Sequence, residues 1–481
     1  MILFPRASFT IEVNGYRKKL TSPAVNTQIR LTPLLNAKGG ATTIKIVSNS
    51  DTGDIDALAF KFFLIATPDV RFATSRVRVY ITYPENYRAF NWSYRFWLKN
   101  YSKSPRYTSF FRTEEKVRNF SSKVVTKILA DSTAQGNQKP IRSYSNFFYI
   151  NPEVYSYKWS AETPNLFLVT SGNFSSRYDA SEVLSERVGL RMSEIKKGEL
   201  RINNVPVRFK AVSYTHPPLE APVPTTEELR EYIIKLKQHH INTIEVHGLP
   251  ASNDLYNLAD EYGLYLIQHL VKDKERISQD ETGGDILWLR QHLSVLYQLR
   301  NMPSLIAWAV NNSSDDTSTS QVSAFQDSLK TLDPNRPVII EEEKKSITNF
   351  PASSPELEQL TAEGLLKLKK EYQPLSMKIS KDSTVSILNA QDFAVLDKVL
   401  LQWEITDGDR VVLQGEVGSL DIAPGKSKVV KLPFSFHTYR NNNYSLSLEV
   451  KLKEDISWAE RGFVLAWEKF DTEALHLLLE K

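Results

Sequence analysis

Apolar and polar residues alternate in short runs over about the first 195 residues of the chain. The run FTIEVNG alternates and then reaches the turn pair Asn14-Gly15, and TTIKIVSN, SRVRVYITY, SYRFWLKNY and LFLVTSG repeat the pattern between turn-rich gaps. Alternation with a period of two is typical of half-buried strands, and Asn-Gly is typical of a tight hairpin. The spacing predicts β-sandwich domains, with a junction between two of them near LIATPDVRF, Leu64 to Phe72.

The hydrophobic period changes to that of a helix from about residue 196. The stretch PTTEELREYIIKLKQHHINTIEV predicts a helix followed by a strand. Thr225 and Glu228 have the spacing of a capping box at the start of this helix. Its apolar stripe consists of Leu229, Ile233 and Leu236.

Five strands are predicted within this region. They are VPVRFKAV, INTIEV, LYLIQ, Ser304 to Val310 and PVIIEE, and a short helix before the third of them ends at Gly263. Strands that alternate with helices indicate a (β/α) barrel, although a complete barrel has eight strands. A polar segment, Lys344 to Pro355, and a helix ending near Tyr372 follow. Alternating strands then return from Gln373 to about Phe470.

Composition narrows the classes of protein to which the chain can belong. With 481 residues, 41% hydrophobic and 24% charged, it has material for roughly two to four folded domains. The formal charge of +4 is spread along the chain, so we predict no nucleic-acid partner. No apolar run reaches about 18 residues, so we predict no membrane span. MILFPRASFTIEV does not have the pattern of a signal peptide, and the compartment stays open.

Metal and cofactor sites are not predicted. The chain has no cysteine, which excludes disulfides, thiol catalysis and cysteine-based zinc sites. His239-His240 ends a predicted helix, where imidazolium suits the helix dipole, and it has no spaced partner for a metal. Asp315-Asp316 is expected to be a solvated turn or a helix cap.

The stretch NMPSLIAWAVNNSSDD, Asn301 to Asp316, places a polar turn directly after a predicted buried strand. An α/β barrel carries its chemistry at such strand ends. The turn offers only amide and hydroxyl side chains, Asn311 to Ser314, where a hydrolase of this kind would need a carboxylic acid. A second polar and aromatic cluster, Ser213 to His216, follows the first predicted strand and is the best single candidate for a ligand site.

Several motifs in collinear order make the chain resemble glycoside hydrolase family 2, the family of the β-galactosidases. YKWSAETPNLF and RVGLR resemble the end of that family's second domain, and GELRINNVPVRFKAV resembles the entry to its barrel. LYNLADEYGLYLI, RNMPSLIAWAVNNS and LDPNRPV are similar to its third-, fourth- and fifth-strand signatures. LQWEITDGDRVVLQGE, DIAPGKSKVVKLP and SWAERGFVLAW resemble the β-galactosidase domain that follows the barrel.

The resemblance implies a multidomain α+β fold. It assigns residues 1–70 to a partial jelly-roll β-sandwich of the sugar-binding type and 71–195 to an immunoglobulin-like β-sandwich. Residues 196–345 are expected to form a truncated (β/α) TIM-type barrel of about five strands. A linker, 346–370, and a β-sandwich resembling the β-galactosidase domain after the barrel, 371–475, complete the expected order.

The chain departs from the family at the positions that carry its reaction. The family's fourth strand ends in Asn-Glu, with the Glu as general acid/base, whereas this chain has Asn312 followed by Ser313. Further family positions at the first three strand ends are also changed, and they hold Ser213, Tyr214, Thr215, Glu245, Gly248, Gln268 and His269. His216 and His247 each lie one residue from a family histidine, and such a shift changes where a side chain points.

The region of the family's nucleophile is also absent from the sequence. Fewer than thirty residues separate Glu343 from Lys370, where the family has its last three barrel strands and its seventh-strand Glu. The amino terminus looks shortened, and the large domain that closes full-length β-galactosidases is missing. The resemblance therefore predicts a degenerate, truncated member, a pseudoenzyme with no catalytic residue.

Two carboxylates are the candidates for a rescued reaction. A retaining glycosidase needs two carboxyl groups about 5–5.5 Å apart, and a serine hydroxyl is too weak an acid to replace one. Glu341 and Glu245 could take over, but the simpler expectation is that they are solvated loop carboxylates, or that one of them pairs with a neighbouring lysine such as Lys344 or Lys345.

Ligand binding is expected at the same strand ends. Tyr214 and Trp92 are placed to stack on a sugar, although either could simply be half-buried. The candidate ligand-binding residues are Tyr214, Thr215, His216, His247, His269 and Asn312.

Three functions remain open at this point. The first is a non-catalytic carbohydrate-binding protein, and the second is a structural or scaffold subunit of a larger assembly. The third is a residual glycosidase with β-galactosidase-like hydrolysis. A half barrel has open strand edges, so we expect either the segment Lys344 to Leu360 with the following helix, or a protein partner or oligomer, to cover them.

Overall fold

The structure is a computed structural model, and it describes two parts of the chain. Within residues 9–149 it describes strands alone. From 158 to 471 it describes the chain outside the gaps 175–179, 218–221, 249, 251, 271–292, 294, 311–326, 328, 341–343, 345, 352–353, 357–358, 381–382 and 435–443. In these described parts, no helix is long and apolar enough to cross a membrane.

The amino-terminal strands form antiparallel sheets. The strands are β1 Phe9–Val13, β2 Tyr16–Leu20, β3 Ile44–Ser48, β4 Val70–Phe72, β5 Arg78–Thr82, β6 Asn91–Arg95, β7 Leu98–Asn100, β8 Arg106–Val117, β9 Val125–Ala134, β10 Phe148–Tyr149, β11 Leu166–Phe174 and β12 Ala180–Val188. They pair in the orders β2-β1-β3, β4-β7, β10-β6-β5 and β12-β11-β8-β9. Val13 lies opposite Tyr16, which confirms the hairpin predicted at Asn14-Gly15.

A parallel sheet of five strands occupies the middle of the chain. After a small sheet of β13 Ser193–Lys196, β14 Glu199–Ile202 and β15 Val205–Pro206, its strands are β16 Ala211–Thr215, β17 Thr243–His247, β18 Tyr265–Leu270, β19 Leu305–Val310 and β20 Val338–Ile340. They lie side by side in chain order. All four pairings are parallel, as the predicted series of five strands requires. The first strand was predicted too early, at 205–212, because Val205–Pro206 pairs in the small sheet and the parallel strand begins at Ala211.

Two helices connect the first three of these strands. Helix α1, Thr226–Gln238, begins with the predicted capping box of Thr225 and Glu228. Its predicted apolar stripe is buried against the sheet. Helix α2, Asp254–Tyr262, ends at Gly263, which has a φ of +80°. A glycine adopts this left-handed conformation without the steric cost of a Cβ, so the predicted helix end is also confirmed.

The two faces of the parallel sheet belong to different hydrophobic cores. On the outer face, Val212, Ile244 and Trp308 pack with the apolar stripes of the helices. On the inner face, which would enclose the axis of a barrel, Ala211 and Ile267 pack with side chains from outside the sheet. Successive side chains of a strand point to opposite faces, so each strand contributes to both cores.

The described residues of 344–356, which we call the return segment, lead from β20 back to the first strand. The side chain of Asn349 binds the backbone of Leu200 and Val207. The backbone N–H of Ser213 in β16 donates to the carbonyl of Pro355 at 2.9 Å, and Ser213 forms a parallel bridge with Glu356. The free edge of β16 is thus covered by the chain itself, which is one of the two arrangements expected from the sequence.

Helix α3, Ala362–Glu371, follows the return segment. Leu365 and Leu368 of this helix pack against the outer core, beside helix α1. The side chain of Lys210, just before β16, donates to the carbonyl of Tyr372 at 2.6 Å. The return segment and α3 therefore occupy the positions of a further strand and helix next to β16.

Two antiparallel sheets enclose the last core. The strands are β21 Leu375–Ser380, β22 Thr384–Asn389, β23 Val399–Asp407, β24 Arg410–Val417, β25 Ser427–Lys431, β26 Tyr444–Leu452 and β27 Val464–Phe470. They pair in the orders β21-β22-β25 and β24-β23-β26-β27 around buried aliphatic side chains and Trp403. The chain is multidomain and rich in β-structure, while the domain limits given above stay predictions.

Candidate functional site

A buried cluster of polar side chains lies on the inner face, toward the carboxyl ends of β17 and β18. Glu245 of β17 is its centre. Lys344 Nζ and His269 Nε2 donate to Glu245 Oε2 at 2.6 and 2.9 Å, and Ser354 Oγ donates to Oε1. The side chains of Glu245 and His269 are each 3% exposed, and that of Lys344 is 9% exposed. Both oxygens of the carboxylate therefore have protein partners.

The protonation of Glu245 follows from these contacts. Burial by itself raises the pKa of this carboxyl group, but three hydrogen bonds and the charge of Lys344 outweigh it and lower the pKa to about 2. Glu245 is consequently an anion at neutral pH. A general acid must carry a proton at the working pH, so Glu245 in this environment cannot protonate a leaving group.

His247 lies at the rim of this cluster. Its ring stacks on that of His269 with the centroids 4.1 Å apart. Burial, followed by the charge of His269, lowers the pKa of His247 to about 4. A neutral imidazole offers one donor and one acceptor, which suits a hydrogen bond with a hydroxyl group.

Tyr214 and His216 lie on the other face of the sheet. The ring of Tyr214 contacts Tyr232 of α1 and His216, and His216 stacks on Tyr256 of α2. Burial lowers the pKa of His216 to about 4. The hydroxyl of Tyr256 donates to Gln268, which completes a polar network under the helices.

The predicted ligand-binding residues are therefore divided between the two faces. His247 and His269 share the inner face with Glu245, whereas Tyr214 and His216 belong to the helix side, and Thr215 is exposed. The predicted stacking role of Tyr214 fits poorly with its contact to Tyr232. Other predicted residues lie outside the described part of the chain. They are Asn311 to Ser314, which include the degenerate acid/base position Ser313, together with Glu341 and the side chain of Trp92.

Reasoning from the sequence identified part of this cluster. A lysine partner was expected for one of the two stray carboxylates, and Glu245 indeed pairs with Lys344. The role of Ser354 was missed. The only signal for it was the polar character of the segment after the fifth strand.

His240, which follows the end of helix α1, does not supply the imidazolium that would suit the helix dipole. Burial and the nearby charges of Lys210 and Lys369 lower its pKa to about 3. The ring is therefore neutral. Over the described ranges, no group of three or more His, Asp or Glu side chains could hold a metal ion.

Comparison with protein families gives two adjoining matches. Residues 193–387 match the family described as "Glycosyl hydrolases family 2, TIM barrel domain". Residues 385–473 match "Beta-galactosidase, domain 4". The parallel sheet with the polar cluster lies in the first match, and the last β-sandwich lies in the second.

Curated relatives are similar over a little more than a third of the chain. A β-galactosidase of Photobacterium profundum is 30% identical over 187 residues, 38% of this chain and 18% of the relative. β-Galactosidase 2 of Enterobacter cloacae is 30% identical over 37% of this chain and 18% of the relative. The matches thus span about a fifth of the length of these relatives.

Solved structures share the fold at low sequence identity. A β-glucuronidase of Bacteroides uniformis superposes with a TM-score of 0.58 and 12% identity, over 96% of this chain and 70% of that chain. An exo-chitosanase of Amycolatopsis orientalis gives a TM-score of 0.51 and 10% identity, over 97% of this chain and 74% of that chain.

Proposed function

We propose that this chain, which is a member of glycoside hydrolase family 2, binds a carbohydrate at the carboxyl ends of its parallel strands without hydrolysing it. The single observation that carries the proposal is the sequestered state of Glu245. Its carboxylate accepts hydrogen bonds on both oxygens and is almost completely buried beside Lys344. A nucleophile must be able to approach the substrate, whereas this carboxylate is almost completely buried and engaged by Lys344, His269 and Ser354.

The sequence supports the loss of the reaction at two further places. Ser313 stands where the family has its acid/base, and a hydroxyl group is too weak an acid for that role at neutral pH. The interval from Glu343 to Lys370 is too short for three strands and for the nucleophile they would carry. We infer that the barrel is truncated and that the return segment replaces the missing strands beside β16.

The position of the return segment supports the proposal that the site does not work like a complete barrel. Lys344, Ile347 and Phe350 fill the inner face of the sheet, where a catalytic pocket would require open space. Retaining catalysis needs two carboxyl groups about 5–5.5 Å apart with the sugar between them. The partners of Glu245 in this structure are instead a lysine, a histidine and a serine.

The rim above this filled face keeps groups that suit carbohydrate hydroxyls. His247 is neutral, stacks on His269 and is only partly buried. Thr215 lies directly opposite His247 on the neighbouring strand. The printed names of the curated relatives are β-galactosidases, so β-galactosides are the first sugars to test.

A scaffold function has its own support in the last β-sandwich. The edge strand β24 exposes Val411, Val412 and Leu413, and the edge strand β25 exposes Val429 at 65% of its surface. Exposed apolar side chains on sheet edges favour contact with another protein. A protein partner would then bind here.

The test is saturation-transfer NMR of the whole chain with methyl β-D-galactopyranoside, lactose, methyl β-D-glucopyranoside and cellobiose. We expect transfer to at least one sugar, with no new product signals. His247→Ala should weaken this binding about three- to tenfold, since it removes one hydrogen-bonding ring. Absence of transfer to every sugar would overturn carbohydrate binding and favour the scaffold function.

A further inference from the structure

A cleft with a volume of about 740 Å³ lies at the opposite end of the parallel sheet. One wall consists of the residues that precede the strands, including Lys210 and Asn242, together with the end of helix α1. The other wall belongs to the last β-sandwich and includes Asp392 and Trp458. Its volume is in the range of pockets for small molecules, about 300–1,000 Å³.

The two walls are held together by Glu162. Its carboxylate accepts the backbone N–H groups of Asp392, Phe393 and Ala394 at 3.0, 2.6 and 3.0 Å. Three hydrogen bonds to one charged group fix the loop of the β-sandwich relative to the segment before β11, and Lys237 of helix α1 donates to the carbonyl of Ala161 in that same segment. The cleft is therefore preformed, which lowers the entropic cost of binding a ligand.

Two lysines contribute donors to the cleft. Lys237 Nζ donates to the carbonyls of Ala161 and Gly263 at 3.0 and 2.9 Å, and Lys210 Nζ donates to the carbonyl of Tyr372. An ammonium group has three donors, so each lysine has capacity beyond these bonds. Burial lowers the pKa of both groups to about 8.

His240 adds an unsatisfied nitrogen. Its Nε2 is shielded from solvent and has no hydrogen-bond partner among the described residues. A buried polar atom without a protein partner is commonly satisfied by water or by a ligand. His240 also lines the cleft, so its ring lies where a molecule in the cleft approaches it.

Charge and shape restrict the class of ligand. Four carboxyl groups, Glu162 and Asp392 among them, and four lysine or arginine groups, Lys210 and Lys237 among them, line the cleft. Their signs are mixed, which disfavours a highly charged ligand. Trp458 and Tyr262 add aromatic surface, which packs against the apolar face of a ring.

We propose that this cleft is a second binding site, for a neutral, hydroxyl-rich ligand of the size of a mono- or disaccharide. Interspersed donors and acceptors match hydroxyl groups, each of which both donates and accepts a hydrogen bond. The site lies at the amino ends of the strands, so it is separate from the rim around His247 and goes beyond the function proposed above.

The test compares paired variants by titration of the whole chain with lactose and with methyl β-D-galactopyranoside, followed by NMR. His240→Gly and Asp392→Ala change the cleft, and glycine tolerates the φ of +60° at position 240. His239→Gln and Asp409→Ala are the matched controls outside the cleft, and His247→Ala changes the rim. Thermal unfolding of each variant verifies that it is folded.

The expected result is a binding isotherm that His240→Gly and Asp392→Ala each weaken about three- to tenfold, while both controls leave it unchanged. An isotherm sensitive only to His247→Ala would overturn the cleft site and leave the proposed function intact. Two binding steps, one weakened by His247→Ala and the other weakened by His240→Gly, would support both sites. No binding by the wild-type chain would overturn both.

Discussion

Glu245 is the residue on which the functional interpretation depends. Nothing near it in the sequence reveals its environment, because Lys344 is 99 positions away and Ser354 is 109 positions away. A carboxylate buried with all of its partners present is stable, whereas removal of one partner leaves a charge without compensation. The cluster therefore makes predictions about stability that do not depend on any substrate.

Lys344→Met should destabilise the protein by about 3–5 kcal/mol near pH 7, because it leaves the Glu245 anion buried without its cation. The double variant Glu245→Leu with Lys344→Met should recover much of this loss, since no buried charge remains. Urea unfolding measures both effects. The control is Lys398→Met, whose pair with Glu454 is exposed and should contribute about 0–1 kcal/mol. Equal effects of the two lysine variants would refute the buried pair.

The stability contributed by Glu245 should depend on pH. The folded pKa of about 2 lies below the ordinary value of 4.5, so the contribution is complete above pH 4.5 and is lost as the pH falls toward 2. The difference in free energy of unfolding between the wild type and Glu245→Gln should shrink by about 3 kcal/mol over this interval. A difference that stays constant from pH 5 to pH 2.5 would show that Glu245 is not held as an anion.

At the scale of helices and strands, sequence signals within a few residues correctly predicted where helices begin and end and which side of α1 is buried. The capping box of α1, its apolar stripe and the glycine that ends α2 are all encoded within a few residues. The division of the candidate residues between the two faces could be predicted in part. Tyr214 of β16 and His216, which directly follows the strand, are two positions apart and so point to the same face. The sequence could not predict which face carries the polar cluster around Glu245, because Lys344 and Ser354 come from the distant return segment.

The end of helix α2 gives a prediction at this scale. A Cβ at Gly263 would lie 2.3 Å from the carbonyl oxygen of Ala161, at a φ of +80°. At Gly408, with a φ of +58°, nothing lies within 4 Å. Gly263→Ala should therefore lower the free energy of unfolding clearly more than Gly408→Ala does. For Gly408→Ala a loss of about 1 kcal/mol is expected from the backbone alone. Thermal unfolding of the two variants measures this difference, and a similar loss of stability for both would contradict the close approach at Gly263.

At the scale of the whole molecule, collinear motifs predicted family membership and the order of the sheets. The matches to the family models cover 193–387 and 385–473, where the motifs were most specific. The sequence named the return segment as one of two alternative covers of the open strand edge but could not choose between them, since its contacts with Leu200, Val207 and Ser213 join residues far apart in sequence. The cleft between the parallel sheet and the last β-sandwich was missed for the same reason.

The central proposal is that this chain does not hydrolyse glycosides. The most direct test is overnight incubation of the whole chain with lactose and p-nitrophenyl β-D-galactopyranoside, with NMR detection of released galactose. Glu245→Gln and Glu341→Gln are measured alongside the wild type. We predict no galactose above the protein-free control in any sample. Galactose released by the wild type and lost in either variant would contradict the claim, because it would show that a carboxylate of this chain still performs the reaction.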